Sequence, residues 1–135
     1  MTSVLNVDSI AAKDGTSPVA LTKQSAAKAW VNFNGTGTVA IRENHGISSL
    51  IDNGQGDYTI NFVNAFSAAT YTISGSASGN NQPNRGYVGL MGADNSNAPA
   101  TGSLRIKFGL GSTGSVDGQL FDSEYSMAIM HGDLA

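Results

Sequence analysis

The chain has 135 residues, 13% of them charged, a formal net charge of −3 and no cysteine. This length predicts one domain with a real hydrophobic core, and the lack of cysteine excludes disulfides, cysteine-based metal sites and cysteine nucleophiles. The seven Lys and Arg residues are scattered, which argues against nucleic-acid binding, and no apolar run is long enough to predict a transmembrane helix.

The N-terminal part of the chain differs in composition from the rest, because the first 29 residues contain no aromatic residue. Residues 1–23 are predicted to form an extended N-terminal arm, and residues 24–135 a compact domain. The N-terminus lacks the basic flank and apolar core of a secretory signal. The arm has too little apolar surface to fold alone, so we expect it to pack on the domain, on a neighbouring copy or on a larger assembly. Its opening Met1 predicts a short complete protein, or the end of a longer fibre with a new start.

From Trp30 onward, apolar and polar residues alternate in short runs separated by Gly and Asn turns. Leu104 and Ile106 alternate with Arg105 and Lys107, which is typical of a half-buried strand with one solvated face. Short strands at this spacing predict an all-β fold, an antiparallel β-sandwich or a jelly-roll-like domain. Ser25–Ala29 is interpreted as one helical turn or as a continued strand. The predicted strands are Ala29–Phe33, Thr36–Arg42, Tyr58–Phe62, Thr70–Ser74, Gly86–Met91, Ser103–Phe108 and Tyr125–His131.

Nothing in the sequence has the pattern of a catalytic centre. His45 lies in a predicted turn, His131 ends an apolar strand, and no nucleophile-elbow motif is present. Asp122 and Glu124 are two residues apart, which in a strand places them on one solvated face rather than across a glycosidase cleft. The chain is therefore predicted not to be an enzyme.

Metal and phosphate sites are weakly indicated, and no cofactor is predicted. Asp52–Asp57 has the oxygen ligands of a calcium loop, but it lacks the acidic residue at the far end of a 12-residue loop, and Asp and Asn also favour plain turns. Three copies of His131 on a trimer axis would form a metal site only if the strand runs along that axis. Gly109–Gly114 is glycine-rich without the lysine of a phosphate-binding loop, and we interpret it as a hairpin loop.

The longest predicted loops are Ser76–Arg85 and Gly92–Thr101, and long loops on a rigid β scaffold often carry recognition. Amide side chains bond sugar hydroxyls in pairs, and an aromatic ring stacks on the apolar face of a sugar. The alternative is that these residues only shape the loop and that Tyr87 packs in the core. For Trp30, a place in the core or in a subunit interface is favoured over a ligand platform. The candidate ligand-binding residues are Asn80, Asn81, Gln82, Asn84, Arg85 and Tyr87.

Three segments resemble a module of bacteriophage tail fibres, of the type found in phages of aquatic bacteria and cyanobacteria. They are Ala26–Gly35, Gly37–Arg42 and Gly54–Phe62. The arm segments Leu5–Ile10 and Gly15–Val19 are similar to the leader of such modules, and together the matches cover a little under half of the chain. Family members usually read Arg-Asp/Ser-Ser after the second of these segments, where this chain has Arg-Glu-Asn-His-Gly.

The resemblance implies a homotrimeric structural protein on an external appendage of the virion, either attaching to a host-surface glycan or completing the appendage. It provides no catalytic residues to transfer. Contact with other virion proteins is expected through the N-terminal arm. Two alternatives stay open: a virion component without a receptor role, such as a head decoration, collar or baseplate protein, and a bacterial carbohydrate-binding module.

Overall fold

The computed structural model describes residues 27–78, 89–92, 97–109 and 119–135. These residues form antiparallel strands and no helix, which confirms the predicted all-β class. The predicted arm, residues 1–23, lies outside the described residues. The strands of the described part are β1 (Ala29–Asn34), β2 (Ala40–His45), β3 (Ile47–Gly54), β4 (Asp57–Phe62), β5 (Thr72–Ala77), β6 (Gly89–Gly92), β7 (Ser103–Gly109) and β8 (Ser126–His131).

The strands pair in the order β2-β1-β8-β5-β6-β7-β4-β3. The short β6 pairs with β5 at one position, Ser76 with Gly89, and with β7 at three positions, so it connects the two larger sheets at this side. The four-stranded sheet β2-β1-β8-β5 packs face to face on the three-stranded sheet β7-β4-β3. The architecture is therefore the predicted antiparallel β-sandwich.

The core lies between the two sheets and is built from alternate residues of each strand. Phe33 of β1 contacts two rings of the facing sheet, Tyr58 at 4.8 Å and Phe108 at 6.1 Å between ring centroids, both in edge-to-face geometry. All three side chains are fully buried. Such edge-to-face pairs add to the free energy gained by burial, so this aromatic cluster holds the two sheets together.

A second aromatic cluster lies in the connection between β4 and β5. Phe66 stacks on Tyr71 at 4.3 Å and meets Phe62 edge to face at 5.0 Å. The Tyr71 hydroxyl lies 3.1 Å from the carbonyl oxygen of Ala100, to which it donates. Burial raises the pKa of Tyr71 to about 12, so the phenol stays protonated and keeps this hydrogen bond through neutral pH.

Two glycines with positive φ allow tight connections between strands: Gly46 between the two sheets and Gly56 within the three-stranded sheet. β2 and β3 lie at opposite ends of the pairing order, yet Gly46 alone joins them. Its φ is 69°, and a Cβ there would lie 2.7 Å from the carbonyl oxygen of Lys28. Gly56 turns β3 into β4 with φ 63°, and a Cβ there would lie 2.6 Å from the backbone of Phe108. Only glycine fits both positions without strain.

Two predicted strands needed correction, and one strand was missed. β2 starts at Ala40 rather than Thr36, because the Asn34 side chain accepts a hydrogen bond from the Thr36 amide at 3.1 Å and turns the chain there. β5 runs from Thr72 to Ala77 because its whole length pairs with β8. β3 was absent from the predicted strands, since its serines, Asp52 and Asn53 are typical of a loop, and pairing with β4 extends it.

Candidate functional site

The six residues predicted to bind a ligand, Asn80, Asn81, Gln82, Asn84, Arg85 and Tyr87, lie outside the described residues. Of the second predicted loop, the described end contributes to the scaffold, because Asn97 Oδ1 accepts a hydrogen bond from Arg105 at 3.2 Å. The described residues present a different candidate, which is a surface on the four-stranded sheet.

Alternation along β1 buries Ala29, Val31 and Phe33 and turns Trp30 and Asn32 towards the outer face of the sandwich. Trp30 is only partly exposed, and it is not part of the core, so the core interpretation of this residue was wrong. The subunit-interface and ligand-platform interpretations remain.

Register places further side chains in line with these two residues. Trp30 pairs with Ile129 of β8, which pairs with Ser74 of β5. One row along, Asn32 pairs with Met127, which pairs with Ser76. We call this surface the tryptophan face, defined by Trp30, Asn32, Ser74, Ser76, Met127 and Ile129.

The tryptophan face is slightly concave. A depression of about 470 Å³ lies over it, lined by these six residues together with Val31, Gly75 and Ala128. The apolar side chains occupy the middle, Met127 is 39% exposed, and the two serines form the β5 side. An exposed apolar strip with polar neighbours is typical of a contact surface rather than of a merely solvated one.

One polar atom of this face is unpaired. Asn32 Oδ1 is shielded from solvent and accepts no hydrogen bond in the structure. A buried acceptor without a donor costs free energy, and a donor from outside the sheet would stabilise this site once the Asn32 side chain turns towards the surface.

The electrostatics of the depression are simple, because none of its lining residues carries a formal charge. On β2, Glu43 pairs with Asn32 and His45 pairs with Trp30, so a carboxylate and an imidazole both border the β2 side of the face. Arg42, which precedes Glu43, is already engaged: its guanidinium lies 4.1 Å from the Tyr125 ring centroid and 3.5 Å from a Glu124 carboxylate oxygen.

The outer surface of the three-stranded sheet is organised differently. Arg105 donates two hydrogen bonds of 2.8 Å to Asp57, one to each carboxylate oxygen. Hydrogen bonding to Arg105 holds the pKa of Asp57 below its ordinary value of 3.8, against the opposing effect of burial. Asn53 donates to Thr59 at 2.8 Å and Asn61 to Ser49 at 2.9 Å. We call this surface the ion-pair face, defined by Ser49, Ile51, Asn53, Asp57, Thr59, Asn61 and Arg105.

The carboxylates considered for catalysis or calcium binding have structural partners. Asp122 lies in a coil rather than a strand and accepts hydrogen bonds from the Gly56 amide at 2.7 Å and from the Tyr58 hydroxyl at 2.9 Å. Glu124 contacts Arg42 instead, so the expectation that the two acids share a strand face was wrong. Burial, with the hydrogen bond to Asp122, raises the pKa of Tyr58 well above its ordinary value of 10.0.

The Asp52–Asp57 segment is the β3–β4 hairpin. Asp52 accepts a hydrogen bond from the Gly54 amide at 2.9 Å and Asp57 is bound to Arg105, so both acids are used locally. His131 is partly buried and pairs with Thr72 at the end of β8. His45 is the last residue of β2 and pairs with Trp30, so its predicted place in a turn was wrong. Within the residues described, no three His, Asp or Glu side chains are grouped to hold a metal ion. Most of Gly109–Gly114 lies outside them.

Sequence reasoning missed Ser74, Ser76, Met127 and Ile129 as surface residues. β8 reads Met-Ala-Ile-Met and is apolar on both sides, so alternation alone does not show which side faces the core. An apolar residue on both sides of a mid-sheet strand was the available signal, since it indicates that the outer side is also a contact surface.

Comparisons with protein-family models, with curated proteins and with solved structures each found no match for this chain. No helix in the described part of the chain is long and apolar enough to cross a membrane.

Proposed function

We propose that this chain is a non-enzymatic structural protein of a bacteriophage virion, a homotrimeric tail-fibre or spike module that attaches to glycans on the host surface. The observation that carries the proposal is the tryptophan face, where Trp30, Met127 and Ile129 stand on the outside of a cysteine-free β-sandwich. The sequence resemblance of Ala26–Gly35, Gly37–Arg42 and Gly54–Phe62 to tail-fibre modules supports the same function.

The fold also suits an external appendage. Without disulfides, a protein exposed outside a particle must be stabilised by its packing and its assembly, and closed point-group assembly covers exposed strand edges and apolar patches. The edge strands β2 and β3 and the low charge of the surface are compatible with contact between copies. In this proposal residues 1–23 join the module to other virion proteins, and the predicted loop residues around Arg85 add host contacts.

The assembly part is tested by measuring the solution mass of the intact chain by light scattering over a range of concentrations. A stable species of three chains is expected. A monomer at all concentrations would contradict the trimer and favour an isolated carbohydrate-binding module.

The attachment part is tested by incubating the fluorescently labelled intact chain with a panel of aquatic bacteria, including cyanobacteria, before and after periodate oxidation of surface sugars. Binding to some strains that is lost after oxidation is expected. A trimer that binds none of the strains would contradict the receptor role and favour a head-decoration, collar or baseplate component.

A further inference from the structure

We propose that the depression on the tryptophan face is a binding site for a neutral sugar, with the Trp30 indole as the stacking platform. The biological source of that sugar, a host-surface glycan, rests on the function proposed above. The site itself rests on the geometry and charge of the face.

The two rows of the face match the amphipathic build of a sugar ring. The first row runs Trp30, Ile129, Ser74 and the second runs Asn32, Met127, Ser76. Strands lie about 4.8 Å apart, so β1 to β5 spans roughly 10 Å. The apolar C–H face of a pyranose can rest on Trp30 and Ile129 while its hydroxyls reach the serine hydroxyls on one side.

The unpaired atom of the face fits a sugar hydroxyl. Asn32 Oδ1 is buried and has no donor, and it lies in the row beside Trp30. A sugar hydroxyl is a donor that an apolar ligand lacks, so a rotation of the Asn32 side chain that brings this oxygen to the surface is rewarded by a polyhydroxylated ligand and not by a hydrocarbon chain.

Charge decides the class of sugar. None of the residues lining the depression is charged, and the Glu43 carboxylate stands at its rim. The nearby Arg42 is held by Glu124 and Tyr125, and Arg105 is bound to Asp57 on the other sheet. A uronic or sialic acid would therefore find no cation among the residues that line the depression to offset the Glu43 carboxylate, and the neutral hexoses and N-acetylhexosamines are the ligands that fit.

A second copy of the chain fits this depression less well. A stable protein interface buries about 800 Å² on each partner with a continuous apolar centre. The face offers three large apolar side chains, Trp30, Met127 and Ile129, flanked directly by hydroxyl and amide groups. Self-association at this face is the competing outcome of the test.

The experiment uses the fact that Trp30 is the only tryptophan of the chain. The intact protein is titrated with cellotetraose, mannotetraose, galactotetraose and chitotetraose, and with tetragalacturonate as the anionic probe, while tryptophan emission is recorded. A saturable change in intensity or wavelength with at least one neutral probe and none with tetragalacturonate is expected. Absence of any change, a change with tetragalacturonate alone, or a change that depends only on protein concentration would overturn the proposal.

Variants locate the binding. Ser74→Ala with Ser76→Ala keeps the fluorophore and should weaken the responding probe by roughly threefold to tenfold, because two hydrogen bonds are lost. Trp30→Ala, followed by calorimetry, should weaken it by about tenfold. Ile51→Ala, 48% exposed on the ion-pair face, is the matched control and should bind as the parent does. Equal affinity of the serine variant and the parent would overturn the site.

Cell binding separates this proposal from the function above. If the parent and Trp30→Ala attach equally to bacteria, attachment stands and this site is wrong. If the parent binds a neutral tetrasaccharide at Trp30 but attaches to no strain, the site stands and the host-attachment function is wrong.

Discussion

The two outer faces of this sandwich are made by the same strand geometry, but they differ in whether their outward polar side chains are hydrogen-bonded to neighbours in the sheet. On the ion-pair face, outward side chains bond to one another across strands: Arg105 to Asp57, Asn53 to Thr59 and Asn61 to Ser49. On the tryptophan face the corresponding positions hold Trp30, Ile129 and Met127, and Asn32 Oδ1 has no donor. The ion-pair face satisfies its own polar groups, whereas the tryptophan face has surface that an external partner would satisfy.

Cross-strand neighbours, more than the residues of one strand, therefore decide whether the polar side chains of a sheet surface are hydrogen-bonded. Asn32 and Asn61 are both outward-facing asparagines in mid-strand. Asn61 stands opposite Ser49 and donates to it, but Asn32 stands between Glu43 and Met127. The same type of side chain is therefore hydrogen-bonded in one place and has an unpaired oxygen in the other, because its neighbours on the adjacent strands differ.

The largest expected effect comes from breaking the core that both faces share. Phe33→Ala removes the ring that contacts Tyr58 and Phe108 and should lower the free energy of unfolding by about 3–5 kcal/mol, because a cavity replaces a fully buried ring. Urea denaturation at matched protein concentration measures this. A loss below about 1 kcal/mol would show that the two sheets do not depend on this contact.

The next largest effect on stability should come from losing the ion pair between Arg105 and Asp57 on the ion-pair face. Asp57→Ala leaves the guanidinium of Arg105 without its carboxylate and should cost about 2–3 kcal/mol. Glu43→Ala, an exposed carboxylate at the rim of the tryptophan face, is the matched control and should change stability by less than about 0.5 kcal/mol. Equal losses in the two variants would remove the distinction between the faces.

Acid should weaken the ion-pair face selectively. The folded state holds the pKa of Asp57 below 3.8, so its contribution is fully present above that pH and is lost as pH falls through the lower folded value. Asp57→Asn should therefore lose less stability than the parent on acidification below about pH 4. Unfolding monitored by circular dichroism along a pH series measures the difference, and parallel curves would contradict it.

A smaller effect separates stability from contact. Met127→Ser on the tryptophan face and Ile51→Ser on the ion-pair face replace side chains that are 39% and 48% exposed, and each should change stability by less than about 1 kcal/mol. Only Met127→Ser should alter sugar binding or self-association, because the proposed binding site lies on the tryptophan face. Sedimentation and sugar titration of both variants check this, and identical behaviour would contradict it.

The smallest predicted difference concerns the two asparagines. Asn61→Ala loses a 2.9 Å hydrogen bond to Ser49 and should cost about 0.5–1 kcal/mol. Asn32→Ala removes a buried acceptor that has no donor and should leave the free energy of unfolding unchanged or raise it by up to about 1 kcal/mol. Paired urea titrations resolve the two, and a larger loss for Asn32→Ala would show that its oxygen is paired in solution.

Part of this site was predictable from the sequence. The alternation around Trp30 placed it on a strand next to Val31 and Phe33, and the strand of Leu104 and Ile106 was predicted with its basic outer side. Of the two places favoured for Trp30, the core was wrong, because Trp30 and Val31 are both apolar and a period of two fits either orientation; the subunit interface stays a prediction. Ligand binding by the candidate residues between Asn80 and Tyr87 stays a prediction.

The sequence by itself determined the β class, because period-two alternation and Gly/Asn turns are local properties of the chain. It also determined the bounds of β1, β4 and β7 closely, since their buried residues alternate with mostly polar ones, and those of β8 from its apolar run. Only the tertiary structure decided that the chain passes through Gly46 from β2 in one sheet directly to β3 in the other. Only the tertiary structure, too, placed Ser74 in line with Trp30 and Ser76 in line with Asn32. Pairing joins residues up to about a hundred positions apart, as Trp30 with Ile129, and no local pattern encodes which strand will lie beside which.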